Sequence, residues 1–561
     1  MTHINSVTVH PSSATVTKGT WYYDAWASIS SDCPECAEVV WYSCDSSIAS
    51  VNPTTGHIRG VNTGTTRIYA EGTDGSGKKD YITVTVSAPV AVTGVSVSST
   101  SKTMNVGDST YVYATVYPSN ATNQTVTWCS SNENVATVNT YSGKVTAKKA
   151  GVTKIVACTE DGEYSDYCEV WVHGKTPVFL IHGRTSNSKG VWGINNNIPS
   201  GQNNHYDLDV NALSLNGKKY IDVDSQTLGS FEPNNGDSDT DYPCNLGNTL
   251  LDAGYKKNIN LFAFNYPNED AVKYSAQKFE AYINNLISYV RASGSNEMKA
   301  CFYASRNDYN NNNYKINIVG HSMGGLVARC FIENMYYTNP YGEEIGYDKH
   351  VDKLITICTP HWGSGYANLS NTTGARHVLC DHDLDFASAM YGGSNSTTVN
   401  CDKEACPESN YIVTSALQYQ RQRSTKYYAI VGIDYPAGSA IQNDHAFEMP
   451  SNYTTYQQIA DFMREKQLYR YHPNECNPKN VGDNMVGFLS QIGWTENIGT
   501  APNKKIQMEK IFIDADTNGG NGGGVFVWEA IMEWLFGDAL LHSKIPHRIP
   551  VCEKVKEYLE G

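Results

Sequence analysis

Ile316-Asn317-Ile318-Val319-Gly320-His321-Ser322-Met323-Gly324-Gly325-Leu326-Val327-Ala328-Arg329-Cys330-Phe331 decides the fold of the larger part of this chain. The apolar, β-rich run Ile316, Ile318 and Val319 predicts a buried strand, and Leu326, Val327, Cys330 and Phe331 follow it at helical spacing. Between them, Gly320-His321-Ser322-Met323-Gly324 gives a serine the strand-turn-helix setting of a nucleophile elbow. The glycines flanking Ser322 are expected to let the backbone bend sharply, so that the hydroxyl is presented while a helix N-terminus faces developing negative charge.

The surrounding sequence alternates strand and helix signals. Pro177 to Ile181 is a continuous apolar run, as in a strand buried on both faces, and His182-Gly183-Arg184 ends it. Ile259 to Phe264, Leu354 to Ile357 and Tyr427 to Val431 read as further strands. Val272, Ala276, Phe279, Ile283, Leu286 and Val290 step by three and four, as one face of a helix does. Such alternation specifies a mainly parallel sheet covered by helices, with the site at the carboxyl ends of the strands.

The first third is organised by a repeat. Trp41 to Ala70 matches Trp128 to Ala157 at a constant offset of 87 residues, aligning Ala49 with Ala136, Val51 with Val138, Gly56 with Gly143 and Ile68 with Ile155. Within a copy, Ile82, Val84 and Val86 alternate with Thr83 and Thr85, the period of half-buried antiparallel strands. Two small β-sandwiches follow from strands of this length separated by Gly, Asn and Ser turns.

Composition bounds the rest. At 561 residues the chain is expected to hold about three or four domains. With 40% hydrophobic and 18% charged residues it is globular, and a formal charge of −15 argues against nucleic acid or an anionic membrane as partner. No apolar run approaches the roughly 18 residues a transmembrane helix needs. Met1 to Val7 enters a strand-like pattern directly, with no visible export signal, so either the chain is cytosolic or Met1 replaces a removed leader, the reading that the domain content favours.

The 15 cysteines are odd in number, which forbids complete internal pairing. Cys158 with Cys168, Cys33 with Cys36 and Cys401 with Cys406 are candidate bridges, with free buried thiols as the alternative. Cys33-Pro34-Glu35-Cys36 lacks the second pair that a zinc site would require.

Ser131 to Val138, Gly143 to Ala147 and Gly151 to Ile155 resemble bacterial immunoglobulin-like domains of the second group. The resemblance implies immunoglobulin-like sandwiches at residues 1–89 and 90–174, on a secreted or cell-surface protein, acting as spacers or as contacts to cell wall or polysaccharide.

Residues 175–561 resemble a bacterial α/β-hydrolase of the lipase and esterase type. The likeness rests on Val178 to Gly183, Val319 to Arg329, Thr359-Pro360-His361-Trp362-Gly363-Ser364, and Gly482-Asp483-Asn484-Met485-Val486 with Ser490-Gln491. It implies a carboxylic ester hydrolase in which Ser322 is the nucleophile, His542 the base and Asp483 the acid, with an acyl-serine intermediate. The backbone amides of Arg184 and Met323 would form the oxyanion hole.

Asp434 competes with Asp483 for the acid, and His547 with His542 for the base. A serine hydroxyl needs such a base, and the base an acid that fixes its tautomer. Thioesterase or amidase chemistry would use the same triad, and a surface adhesion protein with an auxiliary hydrolase fold is the alternative from another class.

Long connections at about 365–425 and between Gly432 and Asp483 suggest a cap. No cofactor is called for. Asp514, Asp516, Asn518 and Gly519 match half of a calcium loop, but Val525 stands where its bidentate Glu belongs, so a glycine-rich turn is expected there. Asp237, Asp239 and Asp241 alternate without the glycine such a loop needs, and His377, Asp381, His382 and Asp383 form a further candidate metal cluster. Lys544 occupies the place where some calcium-dependent lipases carry an Asp.

Overall fold

The computed structural model describes residues 3–33, 37–183, 246–264, 266, 272–333, 349–361, 424–434, 445–450, 456–466, 508–516 and 549–561. These fall into two compact units, Met1–Lys148 with Thr153–Val170, and Lys149–Val152 with Trp171–Gly561.

In the first unit the repeat in sequence becomes a repeat in topology. The first copy pairs Ser13–Thr17, Lys79–Ser87, Gly64–Gly72 and Val39–Ser43 in one sheet, and Trp21–Tyr22, Ile58–Gly60 and Ala49–Val51 in another. The second copy repeats both orders with Ser101–Met104, Ser165–Val172, Gly151–Thr159 and Val126–Ser130, and with Ser109–Tyr111, Lys144–Ala147 and Ala136–Val138. Among the described residues, no sheet mixes strands of the two copies.

Alternation sets the faces. Ile82, Val84 and Val86 are buried with Trp41, Ile58 and Ile68 in one apolar core. A side chain on Gly56 would place its Cβ 2.9 Å from the Trp41 indole, and one on Gly143 would meet Trp128 at 3.1 Å; both glycines also hold positive φ, 76° and 67°. Close approach and handedness together therefore demand glycine at this point of each copy.

The second unit is built on a seven-stranded sheet. Its strands, in chain order, are β1 (Val178–Ile181), β2 (Leu261–Phe264), β3 (Ile316–His321), β4 (Val351–Ile357), β5 (Lys426–Asp434), β6 (His445–Met449) and β7 (Lys510–Asp516). They lie in the order β2-β1-β3-β4-β5-β7-β6, all parallel except the β6–β7 pair. The described helices of this unit are α1 (Leu246–Asp252), α2 (Val272–Ala292), α3 (Asn296–Phe302), α4 (Arg306–Asn310), α5 (Met323–Glu333), α6 (Tyr456–Glu465) and α7 (Ile549–Glu560).

Both faces of the sheet are covered. Phe179 and Ile181 of β1 pack with Phe279 of α2, Phe331 of α5 and Phe462 of α6. The intervening Val178 and Leu180 pack on the other face with Leu250 of α1 and Val555 of α7. Double coverage explains why β1 reads as an unbroken apolar run. The result is an α/β-hydrolase-like architecture whose central strands are β3, β4 and β5.

Two expectations are corrected here. Asp514 and Asp516 belong to β7, paired with Gly432 and Asp434 of β5, and are not part of a glycine-rich turn. The cause is the preceding Ile511, Phe512 and Ile513, all buried, with Phe512 on one face and the two isoleucines on the other. Cys158 and Cys168 cannot bridge, because Cys168 is wholly buried whereas Cys158 is partly exposed on the opposite face of its sheet. Cys33 is disulfide-bonded, while Cys401 and Cys406 lie outside the described residues, as do the cap segment, Asp237 to Asp241 and His377 to Asp383.

Candidate active site

Three parallel strands deliver the candidate site. The register sets Ile181 of β1 beside Gly320 of β3, and His321 of β3 beside Ile357 of β4. The segments that follow, His182-Gly183, Ser322 and Cys358 to His361, thus leave the sheet together at its carboxyl edge.

Ser322 is the single residue between β3 and α5, and it holds the left-handed conformation at φ 51°. The bend is therefore taken by the serine itself, at a cost on the order of 1–3 kcal/mol that the surrounding structure must support. Its N–H donates to the Ile357 carbonyl at 2.8 Å, and its own carbonyl accepts from Gly325 N–H at 3.1 Å. Half-buried, the residue stands at the N-terminus of α5, where amide hydrogens and the helix dipole meet an anion favourably.

The flanking glycines serve a different purpose from the one their spacing suggests: they admit neighbours. A Cβ on Gly320 would lie 2.7 Å from the Gly325 backbone. One on Gly324 would collide with the carbonyls of Ile181 and His182, and one on Gly325 with the Thr359 side chain. Gly183 passes so near the serine that its Cβ would come within 2.8 Å of Ser322 Cβ. Four glycines thereby let β3, α5, the end of β1 and the loop after β4 close on one another beside Ser322.

His182 is committed to holding that approach. Its Nε2 accepts the Tyr266 N–H at 3.2 Å, so Nδ1 carries the proton and donates to the Gly183 carbonyl at 2.7 Å. Tyr266 completes the lock: its hydroxyl donates to the His182 carbonyl at 2.7 Å, and the two rings stack at 4.4 Å. Burial drives the His182 pKa down to about 4, so the ring is neutral at physiological pH and has no nitrogen to spare for a general base. Nothing in the sequence near His182 points to Tyr266, which lies 84 residues away.

His361, on the loop after β4, is also buried and neutral, its pKa held well below the usual value by burial and then by Arg329. Its Nε2 donates to Thr356 Oγ1 at 3.2 Å, and that hydroxyl donates in turn to the Tyr428 carbonyl at 3.2 Å. The His361 carbonyl faces Arg329 Nη1, buried on α5, at 3.5 Å. Cys358, at φ 50°, is a second left-handed residue at this edge, with its N–H on the Ile430 carbonyl at 2.9 Å. Strained backbone at the tips of two adjacent strands is characteristic of functional edges.

Among the residues expected from sequence, Ser322 and Met323 are brought to this edge, beside Gly183. Asp434 ends β5, two strands from β3. Arg184, Asp483, His542 and His547 lie outside the described residues. Chain order places Asp483 between β5 and β7, and His542 between β7 and α7.

Residues 91–170 match the family model of the bacterial Ig-like domain (group 2), and residues 173–373 match that of the PGAP1-like alpha/beta domain. An Ig-like virion protein of Serratia phage KSP90 is 36% identical over 170 residues, 30% of this chain and 65% of that protein. Phospholipase A(1) LCAT3 of Arabidopsis thaliana is 29% identical over 130 residues, 23% of each chain. Lipase BlEst2 of Bacillus licheniformis, in its propeptide form, is 12% identical with a TM-score of 0.29, covering 64% of this chain and 50% of that one. The chain thus spans less than two thirds of the length of each of these relatives.

Proposed function

We propose that this chain is a secreted or cell-surface carboxylic ester hydrolase, with immunoglobulin-like modules at 1–89 and 90–174 and a catalytic domain at 175–561. Ser322 is the nucleophile, His542 its base and Asp483 the acid that orients the base. The observation that carries this reading is Ser322 itself: a half-exposed serine, strained into the left-handed region, at the tip of a central parallel strand and at the mouth of a helix. Such strain persists where presentation of the side chain repays it.

The reaction follows from that placement. The base takes the hydroxyl proton as Ser322 Oγ attacks the ester carbonyl, and the carbonyl oxygen becomes an anion. Amides of Met323, which opens α5, and of Arg184, which follows Gly183, are the proposed donors to that anion. Support comes from His182, whose Nδ1 donates to the Gly183 carbonyl, and from Gly183 itself, whose close approach to Ser322 brings the end of β1 to the proposed site. Loss of one such donor typically costs about 100- to 1,000-fold in turnover. The leaving alcohol takes the proton from the base, and water then releases the acyl group by the same steps.

The likeness to a protein named a phospholipase A(1) favours an ester over an amide or thioester substrate. Treatment of the full chain with a fluorophosphonate, followed by peptide mapping, should place the label on the peptide holding Ser322. Labelling confined to another serine would refute the assignment.

Contact with cell wall or polysaccharide has a specific candidate surface. On the first module, exposed Trp21 and Tyr23 stack at 6.4 Å with Arg59 over Trp21, a face on which sugar rings can lie.

A further inference from the structure

We propose that Cys129 and Cys158 form a reversible disulfide site on the outer face of the second immunoglobulin-like module. In that module Val126–Ser130 and Gly151–Thr159 pair antiparallel, with Trp128 opposite Ala157, both facing the core. Cys129 lies opposite Val156 and Thr127 opposite Cys158, so the two cysteines point outward from the same face as diagonal cross-strand neighbours. Both are thiols in this structure, Cys129 exposed and Cys158 partly so.

In the first copy the same diagonal is bridged by a hydrogen bond between side chains. The 87-residue offset sets Tyr42 at the place of Cys129 and Glu71 at the place of Cys158. Their register is the same, Tyr42 opposite Tyr69 and Val40 opposite Glu71, and the Tyr42 hydroxyl donates to Glu71 Oε2 at 2.8 Å. One copy thus ties the two strands with a hydrogen bond at the positions where the other carries two thiols. Burial raises the Cys158 pKa, and the charge and hydrogen bond of the adjacent Cys129 thiol raise it further, as expected of neighbouring sulfurs.

The oxidant is a low-molecular-weight disulfide such as oxidised glutathione. The Cys129 thiolate, the more exposed of the two, attacks one sulfur of that disulfide; its S–S bond breaks and one glutathione thiolate leaves. The Cys158 thiolate then attacks Cys129 Sγ in the mixed disulfide and expels the second glutathione. Two protein thiols lose two electrons and two protons, and one oxidised glutathione becomes two reduced molecules. The bond closes the loop between the two strands and so restricts the unfolded chain.

The full-length protein, equilibrated in glutathione buffers of rising oxidised fraction, quenched with an alkylating agent and digested without reduction, tests the site. A peptide pair joined through Cys129 and Cys158 should accumulate, with a rise in the melting midpoint of the second module. Cys129→Ser and Cys158→Ser should each abolish both effects, whereas Cys44→Ser, at an exposed cysteine of the first module, should leave them intact. Recovery of Cys129 as a glutathione adduct with Cys158 alkylated at every ratio would overturn the proposal. So would a melting shift that survives in Cys129→Ser.

Discussion

Ser322 holds a strained backbone at the place where the proposed mechanism needs its hydroxyl, so its neighbours are tuned to a degree their side chains do not reveal. Gly183→Ala brings a methyl group to 2.8 Å from Ser322 Cβ, and the end of β1 must withdraw. Turnover of an ester should fall by about 100-fold, the order expected for displacement of a positioned group by about an ångström, while far-ultraviolet circular dichroism stays unchanged; wild-type turnover would show that this approach is unused. His182 gives a pH prediction. Its pKa falls from 6.5 in the unfolded chain to about 4 in the folded one, so its contribution is complete above 6.5 and is lost as pH falls through about 4. Protonation there would break the Tyr266 N–H bond, and His182→Ala should remove this acid sensitivity from the melting midpoint of the catalytic domain between pH 4 and 6.5.

The serine, its two glycines and His182-Gly183 were legible as a pattern. The division of labour among them was not, because positive φ at Ser322 and the collisions awaiting a Cβ on Gly324 or Gly325 depend on elements that meet only in the fold. Tyr266 was invisible for the same reason.

At the scale of elements, period decides what could be read. The three- and four-residue steps of α2 and the apolar run of β1 declare themselves, since burial on one stripe or on both faces leaves a periodic mark. Strand β7 did not: its acidic end, Asp514 and Asp516, imitates a metal loop and masks Ile511 to Ile513. Contacts made by single polar side chains leave no period at all. In the first module Asp74 Oδ2 accepts the Ile4 N–H at 2.7 Å and Asp80 Oδ2 accepts that of Val9 at 2.9 Å, clasping the strand Ile4–His10. Asp161 on Val92 and Asp166 on Val97 repeat the clasp in the second module.

Bonds to Ser76, and behind them Ile4, hold the Asp74 carboxyl down at about 2, from 3.8. Its support is therefore complete above pH 3.8 and lost as pH falls through about 2. Asp74→Ala should speed amide hydrogen exchange at Ile4 and its strand neighbours at neutral pH; unchanged protection would show the clasp to be idle. In the second unit, Lys353 of β4 donates to the last carbonyls of α7, those of Tyr558 and Leu559, at 2.8 and 3.1 Å. Lys353→Met should destabilise α7 by about 1–2 kcal/mol, read as faster exchange confined to that helix.

Over the whole molecule, the chain joins two copies of one β-sandwich topology to an α/β-hydrolase-like unit with a central parallel sheet. The repeat offset and the strand-helix alternation both follow from the need of each element to bury one or two apolar faces, which is why the architecture could be read from the sequence. The proposal of Asp483 as acid and His542 as base rests on motif resemblance and chain order. A metal-independent mechanism further predicts that excess chelator leaves ester hydrolysis unchanged, and loss of activity that calcium restores would contradict it. The most direct test of the account is hydrolysis of p-nitrophenyl esters from acetyl to palmitoyl by the full chain and by Ser322→Ala, with folding checked in parallel. The account predicts hydrolysis by the wild-type chain and a loss of up to about a million-fold in the folded variant, whereas equal hydrolysis by both proteins would contradict it.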